Sequence, residues 1–289
     1  MHELTEPPFG ALALRSAVNG RENNEDIALA VDIGHGMLLN VVLDGMGGCD
    51  HGEDAAEQGG RRFVLSVFEQ LRLPPQLCDG EQPQTSEEER ARDALLQALR
   101  QSSSHISRMV KANGWDKAGA AIAAALVTSD CAILANLGDT RGYHFAASQQ
   151  KLTQCTVDHN VAGILLRAGL ITPRMARYHE GRGRLEFFLG SAGFPEDPPV
   201  TRIPLSDDDA IILCTDGVYG ELTNQQISEI LASAGPDLDN AAGRLLAAAI
   251  DAGETDNQTV LIWRKTGSTR GKIEVADDAP PAGAGAMKE

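Results

Sequence analysis

Four aspartates in this chain stand where an apolar run meets a small turn. Val41-Val42-Leu43 runs into Asp44-Gly45-Met46-Gly47-Gly48, and Leu134-Ala135-Asn136-Leu137 into Gly138-Asp139-Thr140-Arg141. Ile211-Ile212-Leu213-Cys214-Thr215 runs into Asp216-Gly217, and Gly253-Glu254-Thr255-Asp256-Asn257 leads into the apolar run 259–263. A single Asp-Gly is ordinary turn chemistry. A carboxylate half-buried at a strand end is costly unless it is paired or metal-bound. Four of them converging on one end of a sandwich would repel one another, and divalent cations relieve that repulsion. Hard oxygen ligands without His or Cys suit Mg²⁺ or Mn²⁺. Gly45, Gly47 and Gly48 leave the backbone open to close approach by ions or phosphate. A second element is Gly20-Arg21-Glu22-Asn23-Asn24-Glu25-Asp26. A planar guanidinium such as Arg21 can hold a phosphate through two hydrogen bonds. Glu25 and Asp26 can hydrogen-bond waters on a bound ion. Without the aspartates, segment 20–26 reads as a surface charge cluster.

Positioning such groups requires strands. Short apolar runs at 27–33, 37–43, 121–127, 131–137, 210–214 and 259–263 have strand length and β-branched content. Short turns at Ser129-Asp130 and at 34–36 favour antiparallel pairing. Segments 53–71 and 86–112 read as long amphipathic helices, the second with Ala94, Leu95, Ala98 and Leu99 at helical spacing. Shorter helices are predicted at 161–168, 173–178, 224–232 and 241–252. Thr223 and Thr172 stand at cap positions, the latter before Pro173. Helices in pairs between groups of strands predict an α+β fold, a central antiparallel β-sandwich flanked by pairs of helices in four layers. Segment 74–86 is rich in Pro, Gln and Glu and reads as an exposed loop. Residues 1–265 are expected to form one domain, and the Gly/Ser/Ala/Pro and charge content of 266–289 predicts a disordered tail.

Composition narrows the function. A net charge of −16 repels nucleic acid and anionic membranes. Aromatics make up only 4% of the chain, so Ala, Leu, Ile and Val must build the core. Five cysteines without a CxxC pair do not form a disulfide framework or a zinc site, and reduced thiols fit a cytoplasmic protein. Residues 1–10 lack the apolar stretch of a signal peptide, and no run of 18 apolar residues exists. There is no CxxxxxR loop, HExxH or GxSxG, which sets aside cysteine-based phosphatases, zinc hydrolases and serine hydrolases.

The ordered motifs resemble those of the type 2C family of metal-dependent protein phosphatases, in its bacterial branch. Arg21 with Asn24-Glu25-Asp26, Asp44 to Gly48, Gly52-Glu53, Gly138 to Arg141 followed by Tyr143, Thr156-Val157-Asp158-His159, Cys214 to Gly217 and Asp256-Asn257 carry the resemblance, together with a helical flap at 165–173. It covers residues 10–264. The resemblance implies a protein serine/threonine phosphatase with Mn²⁺ or Mg²⁺ as cofactor, two ions and a third in the bacterial branch. It implies that Asp44 bridges both ions and the carbonyl of Gly45 completes the first site. Asp216 and Asp256 hold the second ion, Asp139 helps hold the third, and Arg21 binds the substrate phosphate. Two ions about 3.5–4 Å apart activate a water for in-line attack, without a covalent phosphoenzyme. The implied partners are phosphorylated proteins and a cognate Ser/Thr kinase. Three positions depart from the family pattern. Met46 replaces a His that eukaryotic relatives carry as a proposed general acid, and nearby His51 is either its substitute or a solvated loop residue. Gly119-Ala120-Ala121 replaces Gly-Thr-Thr, and Gly183-Arg184 replaces Asn-Val. Asp158 and His159 read as structural, Cys214 as a buried thiol and Cys49 as an incidental one. Two other readings compete: a non-catalytic protein that sequesters a phosphorylated partner or a kinase, against which the filled metal-ligand positions argue, and a phosphatase of an anti-sigma antagonist, a group of relatives that generally lacks the Arg with Asn-Glu-Asp motif this chain has.

Overall fold

The structure, a computed structural model, describes residues 10–46, 51–72, 86–115, 117–196 and 198–267. The expectations for Gly47, Gly48 and Cys49, for most of the 74–86 loop, and for the tail beyond residue 267 lie outside these.

Among the described residues ten strands form two antiparallel sheets. One has β2 (Asp26–Gly34), β3 (Met37–Met46), β4 (Gly119–Val127), β5 (Cys131–Leu137) and β8 (Val200–Pro204), in that order across the sheet. The other has the order β1 (Gly10–Ala17), β10 (Gln258–Lys265), β9 (Ala210–Cys214), β6 (Arg141–Ala146) and β7 (Lys151–Gln154). Helices α1 (Gly52–Arg72) and α2 (Glu87–Asn113) cover the first sheet. On the second lie α6 (Asn224–Ala234) and α7 (Leu238–Asp251), with the one-turn α5 (Asp216–Tyr219). The flap carries α3 (Val161–Arg167) and α4 (Pro173–Arg177). The expected four layers are present.

Each strand of the first sheet's centre is buried on both faces, which is why its sequence reads as a continuous apolar run. On β3, Leu39, Val41 and Leu43 face the helices while Leu38 and Val42 face the other sheet. On β4, all nine residues are buried and most are alanine, so little side-chain volume separates the layers. Two strand connections follow the turn chemistry. Gly34, His35 and Gly36 all have positive φ between β2 and β3, and Thr128 closes the β4–β5 turn with its N–H donating to the Cys131 carbonyl at 2.9 Å. Ser86 and Thr223 each form a capping box, and Thr172 accepts from the Met175 N–H ahead of Pro173. Among the described residues no helix is long and apolar enough to cross a membrane.

Register decides where the acids stand. Asp26 pairs with Asp44 across β2 and β3, and Ala121 lies opposite Asp44 on β4. Cys214 pairs with both Val260 and Arg141. The exits of β3, β5 and β9 and the entries of β2 and β10 therefore share one end of the sandwich. Asp139 follows β5, Asp216 follows β9 and Asp256 precedes β10.

Candidate active site

At that end a cavity of about 1110 Å³ is lined by Arg21, Glu25, Asp44, Gly45, Asp139, Asp216 and Asp256, among others. Seven of the eight site residues singled out from the sequence thus share one wall. Asp26 is the exception. It is buried, and its carboxylate accepts a hydrogen bond from the Thr215 hydroxyl at 2.9 Å. It therefore ties β2 to the turn that carries Asp216.

The electrostatics are those of an acid cluster in which burial and mutual repulsion outweigh the nearby arginines. Burial pushes the Asp44 carboxyl well above the usual range, and Asp216, Asp26, Asp139 and Asp256 push it further. Burial, then Asp216 and Asp158, raise Asp139 to about 8. Burial, then Asp256 and Glu254, raise Asp216 to about 6, with Arg182 pulling the other way. Burial raises Asp26 to about 7 against the hydrogen bonds of Thr259 and Thr215. Among the described residues no three His, Cys, Asp or Glu side chains are drawn together to grip a single ion. Asp256 is instead turned to Arg21, Nη2 to Oδ2 at 2.7 Å. The donors themselves are carboxylates and a backbone carbonyl, the set that fits a hard divalent cation, whose charge would offset the repulsion.

Close backbone packing brings these groups together. A Cβ on Gly217 would overlap the carbonyl oxygen of Asn257, so only glycine lets the Asp216 turn approach the Asp256 loop. A Cβ on Gly45 would overlap the Gly52 carbonyl and stand 2.7 Å from that of Glu25, and one on Gly52 would overlap the Glu25 carboxylate. That carboxylate thus sits at the positive N-terminal end of α1. Asn257 fastens the Arg21 segment. Its Oδ1 accepts from the Glu25 N–H at 2.9 Å, and its Nδ2 donates to the carbonyls of Val18 at 2.9 Å and Asn23 at 2.8 Å.

Asp139 is held by a buried network that residue types alone did not reveal. Arg141 donates to both oxygens of Asp158, at 2.9 and 2.6 Å, and lies 3.7 Å from the ring centre of Tyr219. The Tyr219 hydroxyl donates to the Asp139 carbonyl at 2.8 Å. His159 Nδ1 accepts from the Gly138 N–H at 3.1 Å, and burial lowers its pKa to about 4, so the ring is neutral. Asp158 thus pairs with Arg141, and His159 with the Gly138 backbone. Cys214 is buried and its thiol is pushed up to about 12, which makes it inert as a nucleophile. His51 is a partly exposed loop residue ahead of α1. It does not line the cavity; its ring stacks on Trp115, with centroids 4.0 Å apart and planes 6° from parallel.

The flap is latched beside Asp216. Arg177 donates to the carbonyls of Leu222 at 2.8 Å and Gly220 at 3.3 Å, and Arg182 donates to the same Gly220 carbonyl at 3.3 Å. Sequence reasoning missed Asn257, Tyr219, Arg177 and Arg182 as positioning residues. Only the Asp256-Asn257 pair carried a signal, through its place in a motif.

A family model described as protein phosphatase 2C matches residues 15–245. The chain is 28% identical over 252 residues to a serine/threonine phosphatase stp of Listeria monocytogenes serotype 4b (strain F2365), covering 87% of this chain and 94% of that one. It resembles the crystal structure of the Mycobacterium tuberculosis serine/threonine phosphatase PstP/Ppp with a TM-score of 0.69 at 27% identity, covering 89% of this chain and 99% of that one. A PstP catalytic domain in complex with two manganese ions gives a TM-score of 0.66 at 27% identity, covering 89% of this chain and 99% of that one. The family match runs over most of the chain and takes in Asp44, Asp139 and Asp216, and on that ground the chain belongs to the protein phosphatase 2C family.

Proposed function

We propose that this protein hydrolyses phosphoserine and phosphothreonine on other proteins at the Asp44 cavity, with Mn²⁺ or Mg²⁺ as cofactor. The observation that carries this reading is the gathering of Asp44, Asp139, Asp216 and Asp256 with Arg21 on one cavity wall. The structural relative with two manganese ions supports a two-ion centre. Asp44 would hold both ions, the carbonyl of Gly45 the first, Asp216 and Asp256 the second, and Asp139 a third. Bound there, the cations supply the positive charge that lets a phosphate dianion approach and that acidifies an attacking water. The chain's own residues do the rest. Arg21, with 59% of its side chain exposed, presents its guanidinium to the phosphate oxygens. Glu25 accepts hydrogen bonds from water in the cavity, while Asp26 holds the Asp216 turn through Thr215. A water in the cavity would protonate the leaving serine or threonine oxygen. The reading extends to a cytoplasmic setting and to a cognate Ser/Thr kinase whose phosphorylations this enzyme reverses.

The test is hydrolysis of a phosphothreonine peptide and of p-nitrophenyl phosphate with Mn²⁺, Mg²⁺ or excess chelator, with Asp216→Asn alongside. The expected result is metal-dependent turnover that falls by orders of magnitude in the variant. A folded protein that binds Mn²⁺ yet turns over neither substrate would support sequestration of a phosphoprotein instead.

A further inference from the structure

The cavity exceeds what a phosphorylated side chain fills. Its volume of about 1110 Å³ lies beyond the usual size of a site for a whole small ligand. Its acids are confined to segment 22–25 and to Asp44, Asp139, Asp216 and Asp256. The remainder of the wall comes from the end of α2, the approach to β4 and segment 183–192, and it contains no acid. Val110, Ala118, Leu185 and Phe188 make it apolar, and Lys117 and Arg184 make it cationic. Both cations line the same cavity, and beyond Lys117 the backbones of Ala120 and Leu189 are joined by hydrogen bonds of 3.2 and 2.8 Å. The backbone of Arg184 is fixed as well, its carbonyl accepting from the Val161 N–H at 3.1 Å. Its side chain is 78% exposed and meets only Glu186, at 3.8 Å. Lys117 is exposed and has no hydrogen-bond or ion-pair partner among the described residues. In a chain of net charge −16, two weakly countered cations lining one cavity are complementary to an anion from outside.

We propose that Lys117 and Arg184 form a subsite for an anionic group next to the phosphorylated residue of the substrate, with the apolar wall taking a neighbouring side chain. The preferred substrates are then phosphopeptides flanked by a carboxylate or by a second phosphate. This rests on the phosphatase reading above.

The experiment measures kcat/KM on phosphothreonine peptides of one length that carry Glu, phosphoserine, Gln or Lys at the flanking positions. At low salt the Glu and phosphoserine peptides are expected to exceed the Gln peptide about tenfold, the sum of two partly screened charge pairs. The separate Glu and phosphoserine arms show which anion the subsite takes. The ratio collapses toward one at about 1 M salt, where the Debye length is about 3 Å. It also collapses in Lys117→Gln/Arg184→Gln. Arg184→Lys retains most of it, and Arg184→Glu shifts preference to the Lys peptide, which a merely structural role would not do. Hydrolysis of all peptides at equal rates by the wild type, or a ratio unchanged in the double variant, overturns the subsite and leaves the phosphatase reading standing. Hydrolysis of none overturns both.

Discussion

Replacing Asp158 with asparagine leaves the Arg141 guanidinium buried without its counter-charge. The side chains of the pair are 19% and 12% exposed, and both hydrogen bonds run between charged groups. Removing one partner of such a pair costs about 3–5 kcal/mol, because the remaining charge stays desolvated. The face of Tyr219 and the Tyr143 hydroxyl, 3.2 Å from Arg141 Nη1, keep part of the compensation, which places Asp158→Asn near the lower figure, about 3 kcal/mol. In a domain of this size that lowers Tm by about 6–12 °C. Urea unfolding of Asp158→Asn, Arg141→Met and the double variant Arg141→Met/Asp158→Leu provides the assay. The double variant is expected to be more stable than Asp158→Asn alone, because it buries no unpaired charge. A loss below about 1 kcal/mol for Asp158→Asn, or a double variant whose loss equals the sum of the singles, would refute the reasoning.

Three further outcomes follow from the same packing. Gly217→Ala must push the Asp216 turn away from the Asn257 carbonyl; we expect a loss of about 3 kcal/mol in thermal unfolding and a smaller rise of Tm on adding Mn²⁺, and an unchanged Mn²⁺ response would count against the close approach. Asp216→Asn removes a buried carboxyl that burial and its neighbours already disfavour as an anion; in excess chelator at pH 8 the variant should therefore melt above the wild type, and a lower Tm would contradict the charge deficit. His159 is held below its ordinary pKa, so between about 6.5 and about 4 the unfolded chain binds a proton that the folded chain refuses. Its contribution is fully present above about pH 6.5 and declines as pH falls, at up to about 1.4 kcal/mol per pH unit; the wild type should thus lose stability relative to His159→Gln as pH drops from 7.5 to 4.5, and a constant difference would argue against it.

The elements that could be read from the chain are those with an apolar run or a helical stripe and cap. The cores of β2, β3, β4, β5, β9 and β10 are apolar runs, and α1, α2 and α6 carry caps or apolar stripes that local physics enforces. β1, β6, β7 and β8 were not anticipated. They are edge or near-edge strands such as Lys151–Gln154, half exposed and partly polar, and only a neighbour's open hydrogen bonds make them strands. α5 is a single turn and has no periodicity to detect.

The site divides along the same line. Asp44, Asp139, Asp216 and Asp256 were marked by apolar runs that meet small acidic turns, which is local information. Their convergence rests on the antiparallel register of two sheets. The pairing of Arg21 with Asp256, 235 residues apart, belongs to no local pattern. Nor does the withdrawal of Asp26 behind the cavity, or the seating of His51 on Trp115. The chain alone determined which residues are acids, turns and apolar strands, because those depend on side-chain chemistry and short-range sterics. Tertiary structure decided which of them meet, because contacts between distant segments are set by strand register and by the glycines that let two backbones touch.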